Sequence, residues 1–201
     1  MSAPHEGAPP PGGGDWDAGW LRAARRRPSP NFGPRPADAV VDLALIHSIS
    51  LPPGQYGGPG IEQLFTNRLD WDAHPYFRQI RGLEVSAHFV IRRDGELLQF
   101  VSCDERAWHA GRSSLRGRDN CNDYSIGIEL EGLEDTPFEA AQYAALARLL
   151  QALAQRYPVS LVAGHEHVAP GRKRDPGAAF DWPGLCRAVG WPAERFFPLA
   201  P

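Results

Sequence analysis

The chain has 201 residues, 42% of them hydrophobic, which is enough to build one domain around a proper core. Its 21 Lys plus Arg stand against 24 Asp plus Glu, a net charge of -3, and that balance argues against a nucleic-acid protein, which carries a basic excess. No stretch reaches the roughly 18 to 20 consecutive apolar residues of a membrane-spanning helix.

Residues 1–14 hold four Pro and four Gly and no apolar run of the kind a signal peptide carries. Such a segment cannot bury enough surface to offset its ordering entropy. Residues 1–15 are therefore expected to be a disordered tail containing His5, followed by one domain over 16–201 in a cytoplasmic protein. Arg25-Arg26-Arg27 is the one basic cluster and reads as a solvated face rather than a binding patch.

After a Pro-rich lead-in over 28–36, residues 40–46 form an apolar run of strand length that suits a buried central strand ending at His47. The Pro/Gly clusters at 51–54 and 57–60 read as loop, and Ile61, Leu64 and Phe65 then sit at helical spacing. Residues 85–102 read as a hairpin turning at Arg93-Asp94-Gly95, since an Asp-Gly pair tolerates positive φ. Residues 125–131 read as another strand. Thr136-Pro137-Phe138-Glu139 has the form of a capping box with Pro at the first helical position. An apolar stripe from Tyr143 through Leu146, Leu150 and Leu153 to Tyr157 follows, stopped by Pro158. Residues 159–163 are a last strand candidate, and Asp181 is expected to cap a short final helix. Mixed strands and helices with at least one antiparallel hairpin favour a single mixed sheet covered by helices, an α/β fold of the α+β type. Cys103, Cys121 and Cys186 have neither a disulfide framework nor a CxxC metal spacing, so reduced structural thiols are expected.

The placement of the histidines is the main chemical clue. His47 closes an apolar strand, His165 follows another short apolar run, and Asp175 comes ten positions later. Two neutral imidazoles and a carboxylate would hold Zn²⁺ with a fourth position open for water. Spacing alone leaves this a weak proposal and does not separate His165 from His167, which would share a face if both were on a strand. Glu129 and Glu131 are equally ambiguous. They share the strand face opposite Ile126, Ile128 and Leu130, so either could be a general base beside the metal, or both could be solvated.

Seven ordered blocks carry a resemblance: ARRRPSPNFGPRP, LIHSISLPPGQYGGP, LFTNRLDWDAHPYF, VSAHFVIRRDGELLQFV, RAWHAGRSS, CNDYSIGIELEG and GHEHVAPGRKRDPG. From about residue 19 to 189 the sequence resembles the AmpD branch of the zinc N-acetylmuramoyl-L-alanine amidases, a family related to peptidoglycan recognition proteins. The resemblance implies one Zn²⁺ per chain on His47, His165 and Asp175, with His167 at a variable position. It implies Glu129 rather than Glu131 as the catalytic acid/base and Lys173 as its electrophilic partner. It also implies Trp108 and His109, and less directly Tyr76, in the substrate cleft. For His74 and His88 a supporting hydrogen-bond role is favoured.

The implied activity is hydrolysis of the amide between the lactyl group of 1,6-anhydro-N-acetylmuramic acid and L-alanine in cell-wall recycling. The implied partner is a small muropeptide, with no nucleic acid and no membrane, and the chain is expected to act as a monomer. Three rivals stay open: a non-catalytic peptidoglycan-binding module of the same fold, an amidase acting on intact periplasmic peptidoglycan, and a nucleic-acid or surface-binding protein that has only the arginine run in its favour. Ser48, Glu84, Asn120 and Arg174 depart from the residues common in relatives, which bears on substrate affinity rather than on the reaction type.

Overall fold

The computed structural model describes residues 15–199; the expected tail, with His5, lies outside them apart from Asp15. Among the described residues the main sheet takes strands β1 (Arg25–Arg26), β2 (Leu43–Ile49), β3 (Phe89–Ile91), β4 (Leu97–Gln99), β5 (Ser125–Glu131) and β6 (Leu161–Gly164). Their spatial order is β6-β2-β5-β3-β4-β1. Only the β3/β4 pair is antiparallel; the other neighbours run parallel. The helices used below are α1 (Gly60–Phe65), α2 (Pro75–Gln79), α3 (Ala140–Arg156), α4 (His165–Val168) and α5 (Trp182–Val189). A single mixed sheet flanked by helices is the architecture expected. No described helix is long and apolar enough to cross a membrane.

Strand alternation divides the work of the sheet between its faces. Ala44, Ile46, Ile126, Ile128 and Leu130 pack with Leu146, Leu149, Leu150 and Leu153 of α3 and Leu185 of α5 in one cluster. Removing such side chains from water supplies most of the driving force, about 1.5–3 kcal/mol each. Leu43 and Leu45 point the other way, into a second cluster with Ala110, Leu115 and Val168. The next residue of that face is His47, and the β5 residues beside it are Gly127, Glu129 and Glu131. The site thus grows from the non-α3 face of the two central strands.

Several boundaries differ from the sequence reading, each for a packing reason. The strand at His47 does not end there. It starts at Leu43, because Val40 is 53% exposed, and runs on to Ile49, which pairs with Glu131. Gly60 is not loop: it opens α1, close enough to Leu51 that a Cβ would come within 2.5 Å of the Leu51 carbonyl oxygen. The hairpin strands are shorter than expected, but the turn is as read, with Gly95 at φ 87 and its N–H on the Arg92 carbonyl at 2.9 Å. The long helix begins at Ala140 rather than at Pro137. Phe138 is drawn into the core over Gly132, where a Cβ would meet its ring at 2.4 Å, so the chain stays extended until Glu139. Glu139 then caps the helix by donating its N–H to Gln142 Oε1 at 3.0 Å. The last strand starts at Leu161, not Val159. At the end of the fold, Asp181 caps α5 as expected, accepting the Gly184 N–H at 2.8 Å. All of Cys103, Cys121 and Cys186 are free thiols.

The basic run is spent on local ion pairs: Arg25 with Glu96, Arg26 with Asp17 and Arg27 with Glu62, at 2.8–3.0 Å. Little surface charge is left there for a partner.

Candidate active site

Three elements deliver the donors. His47 stands fifth in β2, His165 is the first residue of α4, and Asp175 follows in the loop beyond that helix. Gly164 makes the β6–α4 corner possible, since a Cβ on it would lie 2.7 Å from the Pro176 ring. The loop is tied back to α4 by the Glu166 N–H on the Asp175 carbonyl at 2.9 Å. His47 Nδ1, His165 Nδ1 and Asp175 Oδ2 then form a triangle with edges of 2.9, 3.1 and 3.0 Å. All three side chains are buried.

The surrounding hydrogen bonds show what this triangle is fit for, with tautomers assigned from the network. His165 Nε2 lies 3.0 Å from the Ala110 carbonyl, which can only accept, so Nε2 carries the proton and Nδ1 a lone pair. For His47 the assignment comes from further away. The Ser125 hydroxyl donates to the Cys121 carbonyl at 2.6 Å, leaving its oxygen to accept from His109 Nε2 at 3.4 Å. His109 Nδ1 is then the acceptor for His47 Nε2–H at 3.0 Å. Two imidazole lone pairs and a carboxylate oxygen therefore point at one another with no proton between them. That arrangement repels itself in the absence of a cation, and its three donor atoms lie close enough together to share one ion. The residues fit a metal.

Burial pushes the His47 imidazole down to about 4, with His165 acting in the same direction, so it is neutral, as a ligand must be. At Asp175 burial acts upward, but the proximity of His165 and His47 outweighs it and holds the carboxyl below its ordinary range.

Glu129 pairs in register with His47 across β2 and β5. It is 9% exposed, and its Oε2 has no hydrogen-bond partner among the described residues. Burial raises its carboxyl well above the ordinary value, the Asp175 charge adds to this, and the Lys173 ammonium opposes it. Glu131, also buried, is consumed structurally by Arg92 at 2.9 Å and by the Gly57 N–H at 2.8 Å. Neither carboxylate is solvated, which corrects that alternative: β5 is buried along all seven residues.

A cleft of about 360 Å³ brings together His47, His165, Asp175, Glu129 and Lys173 with Trp108, His109 and Tyr76. One of its walls is apolar, from Leu64, Ile80, Leu83 and Val85. His167 is elsewhere. It lies on α4, not on a strand, so it does not share the face of His165. Its Nδ1 accepts the Gly164 N–H at 2.8 Å, and its ring packs on Trp182 and Phe197. His74 caps α2 by accepting the Tyr76 N–H at 3.1 Å. Buried His88 accepts the Gly127 N–H at 2.9 Å. Glu84 and Asn120 are both exposed, and Arg174 faces Asp135 at 3.3 Å on the surface.

Sequence reasoning missed the residues that hold the AWHAG block. Asn122 Oδ1 accepts the N–H groups of His109 and Ala110 at 3.2 and 2.8 Å. Arg172 donates to the Ala110 carbonyl at 2.6 Å, the same oxygen that orients His165. No spacing announces such contacts, because half of each is main chain.

Residues 38–178 match the family described as N-acetylmuramoyl-L-alanine amidase. The chain belongs to this family. Among its amidase relatives, the 1,6-anhydro-N-acetylmuramyl-L-alanine amidase AmpD of Citrobacter freundii is 55% identical over 168 residues, covering 83% of this chain and 90% of the relative. AmpD of Escherichia coli K12 is 53% identical over 168 residues, covering 83% and 92%. The crystal structure of an AmpD derivative superposes with a TM-score of 0.83 at 52% identity, over 86% of this amidase and 98% of that chain. A human peptidoglycan recognition protein domain, bound to a glycosamyl muramyl pentapeptide, shares the fold at 20% identity, with a TM-score of 0.56 over 87% of this chain and 98% of that one.

Proposed function

We propose that this chain is a zinc-dependent 1,6-anhydro-N-acetylmuramyl-L-alanine amidase. It hydrolyses the amide between the lactyl group of the anhydro sugar and L-alanine in muropeptides, in the cytoplasm, during peptidoglycan recycling. The observation that carries the reading is Glu129: a buried carboxyl with an oxygen unpartnered among the described residues, in one cleft with a His-His-Asp donor set. Relatives named for this reaction, at more than half identity, support the substrate. A complex of the amidase AmiD from E. coli with anhydro-N-acetylmuramic acid-L-Ala-D-γ-Glu-L-Lys, 28% identical to this chain, also supports it.

An unstrained amide resists hydrolysis because water is a weak nucleophile and nitrogen a poor leaving group. His47, His165 and Asp175 would hold Zn²⁺, which when bound supplies Lewis-acid polarisation and lowers the pKa of water towards about 7. Glu129, with its raised pKa, accepts the proton of the attacking water and returns it to the departing alanine nitrogen. Lys173, exposed at the cleft, places its ammonium where negative charge develops on the carbonyl oxygen. Trp108, Tyr76 and the apolar side chains that line the same cleft would meet the sugar and peptide parts of the substrate.

Incubating the zinc-loaded protein with 1,6-anhydro-N-acetylmuramyl tripeptide and following free peptide by mass spectrometry tests this. Release that is lost with a chelator and in Glu129→Ala supports the amidase. Binding without release would favour a recognition module, and release from intact peptidoglycan alone would favour a periplasmic enzyme.

A further inference from the structure

Gly127 of β5 leaves room for one particular ring. A Cβ built there would come within 2.4 Å of His109, so a side chain at 127 and His109 in its present place exclude one another. The Gly127 N–H is held by His88 Nδ1, and the His109 N–H by Asn122 Oδ1. Backbone on one side and an anchored amide on the other thus fix where the His109 ring stands.

We propose that His109 is a positioning residue for the metal centre: its Nδ1 accepts the Nε2–H of His47 and so keeps the His47 Nδ1 lone pair aimed between His165 and Asp175. This rests on the metal reading above, and it gives His109 a role other than the substrate contact that the resemblance implies. The partner of a metal-binding histidine is commonly a carboxylate or a backbone carbonyl, groups that can only accept. An imidazole can also donate, and with a proton on Nδ1 it would face the His47 Nε2–H donor to donor. Ser125 removes that option. Its hydroxyl is committed to the Cys121 carbonyl, so its oxygen calls for a proton on His109 Nε2. The tautomer of His47 is in this way set from β5, through two side chains that never touch the metal.

The test is zinc affinity, measured on the metal-free full chain by competition with a chromophoric chelator. Wild type comes first: if it takes up no zinc, the metal reading falls and this inference with it. His109→Ala is expected to weaken zinc binding about 10- to 100-fold. In His109→Asn the amide oxygen stands close to the former Nδ1, so affinity is expected to return to within a few-fold of wild type. Ser125→Ala, which frees the tautomer without touching His47, is expected to fall between them. Thermal melts of each metal-free variant report whether the fold is kept. Wild-type zinc affinity in His109→Ala, with only KM raised, would overturn the proposal in favour of a substrate contact. Equal losses in the Ala and Asn variants would overturn it in favour of simple packing.

Discussion

Glu129 and His47 stand opposite each other across the parallel ladder of β2 and β5, yet their polar atoms are used in opposite ways. His47 has both ring nitrogens engaged, one with His109 and one with His165 and Asp175. Glu129 keeps an oxygen that no group among the described residues occupies. A buried carboxyl beside the ligand set, but outside it, is free to move a proton.

Replacing Glu129 by Gln therefore separates chemistry from metal binding. We expect kcat to fall about 100- to 10,000-fold, the range for loss of a positioned general base. Bound zinc per chain, measured by atomic absorption, is expected to stay at the wild-type value. A near-wild-type rate would remove Glu129 from the reaction.

Lys173→Met should lower kcat about 100- to 1000-fold with little change in KM, since its charge matters where the oxyanion forms. It also has a pH signature. Lys173 opposes the upward shift of Glu129, so losing it raises that carboxyl further. The acidic limb of kcat/KM, which follows ionisation of the base, is expected to move to higher pH. An unmoved limb would show that the two groups are not coupled.

Glu131 offers the structural contrast. It bonds to Arg92 and to the Gly57 N–H, pinning the loop that carries Leu51 and Pro53 to the cleft wall. Breaking a buried pair on one side costs about 3–5 kcal/mol. Glu131→Ala should lose stability on that scale in urea titrations while keeping its zinc, whereas Glu129→Gln should not. Equal stability of the two variants would mean that the ion pair contributes nothing.

What the sequence made legible follows from the range of the interactions involved. The alternation of Ile126, Ile128 and Leu130 placed both glutamates on one face of β5 correctly, because alternation is a property of a single strand. Which glutamate is structural depends on Arg92, a contact across 39 positions that no local pattern records. The His167 ambiguity arose from carrying the strand past Gly164; the change to helix at His165 turns the two rings apart. The capping box was displaced for a similar reason. Thr136 and Glu139 have the right spacing, but burial of Phe138 against Gly132 outweighs a local cap of about 1 kcal/mol. The ligand set itself came from resemblance, since His47, His165 and Asp175 meet only once three separate elements have folded.

Acid should destabilise the metal-free protein, and the sign follows from the buried histidines. Burial lowers His47 to about 4 and His88 to about 3, and it lowers His109 as well. Unfolded histidines titrate near 6.5, so on acidification the unfolded chain takes up these protons first. Stability is then fully present above pH 6.5 and falls as the pH drops below it, by about 1.4 kcal/mol per pH unit for each such group. Glu129 works against this. Its raised value means the folded state holds a proton that the unfolded state releases above 4.5, which offsets about one histidine. Asp175 is shifted the other way and contributes only below its ordinary value of 3.8, outside this window. His167 is lowered by burial as well and Glu166 is raised by burial, so four histidines against two carboxyls leave stability rising with pH between 4.5 and 6.5. Urea midpoints of the metal-free chain should climb across that range. A flat profile would mean that these imidazoles are not held neutral, and the lone-pair triangle assigned to His47 would fall with them.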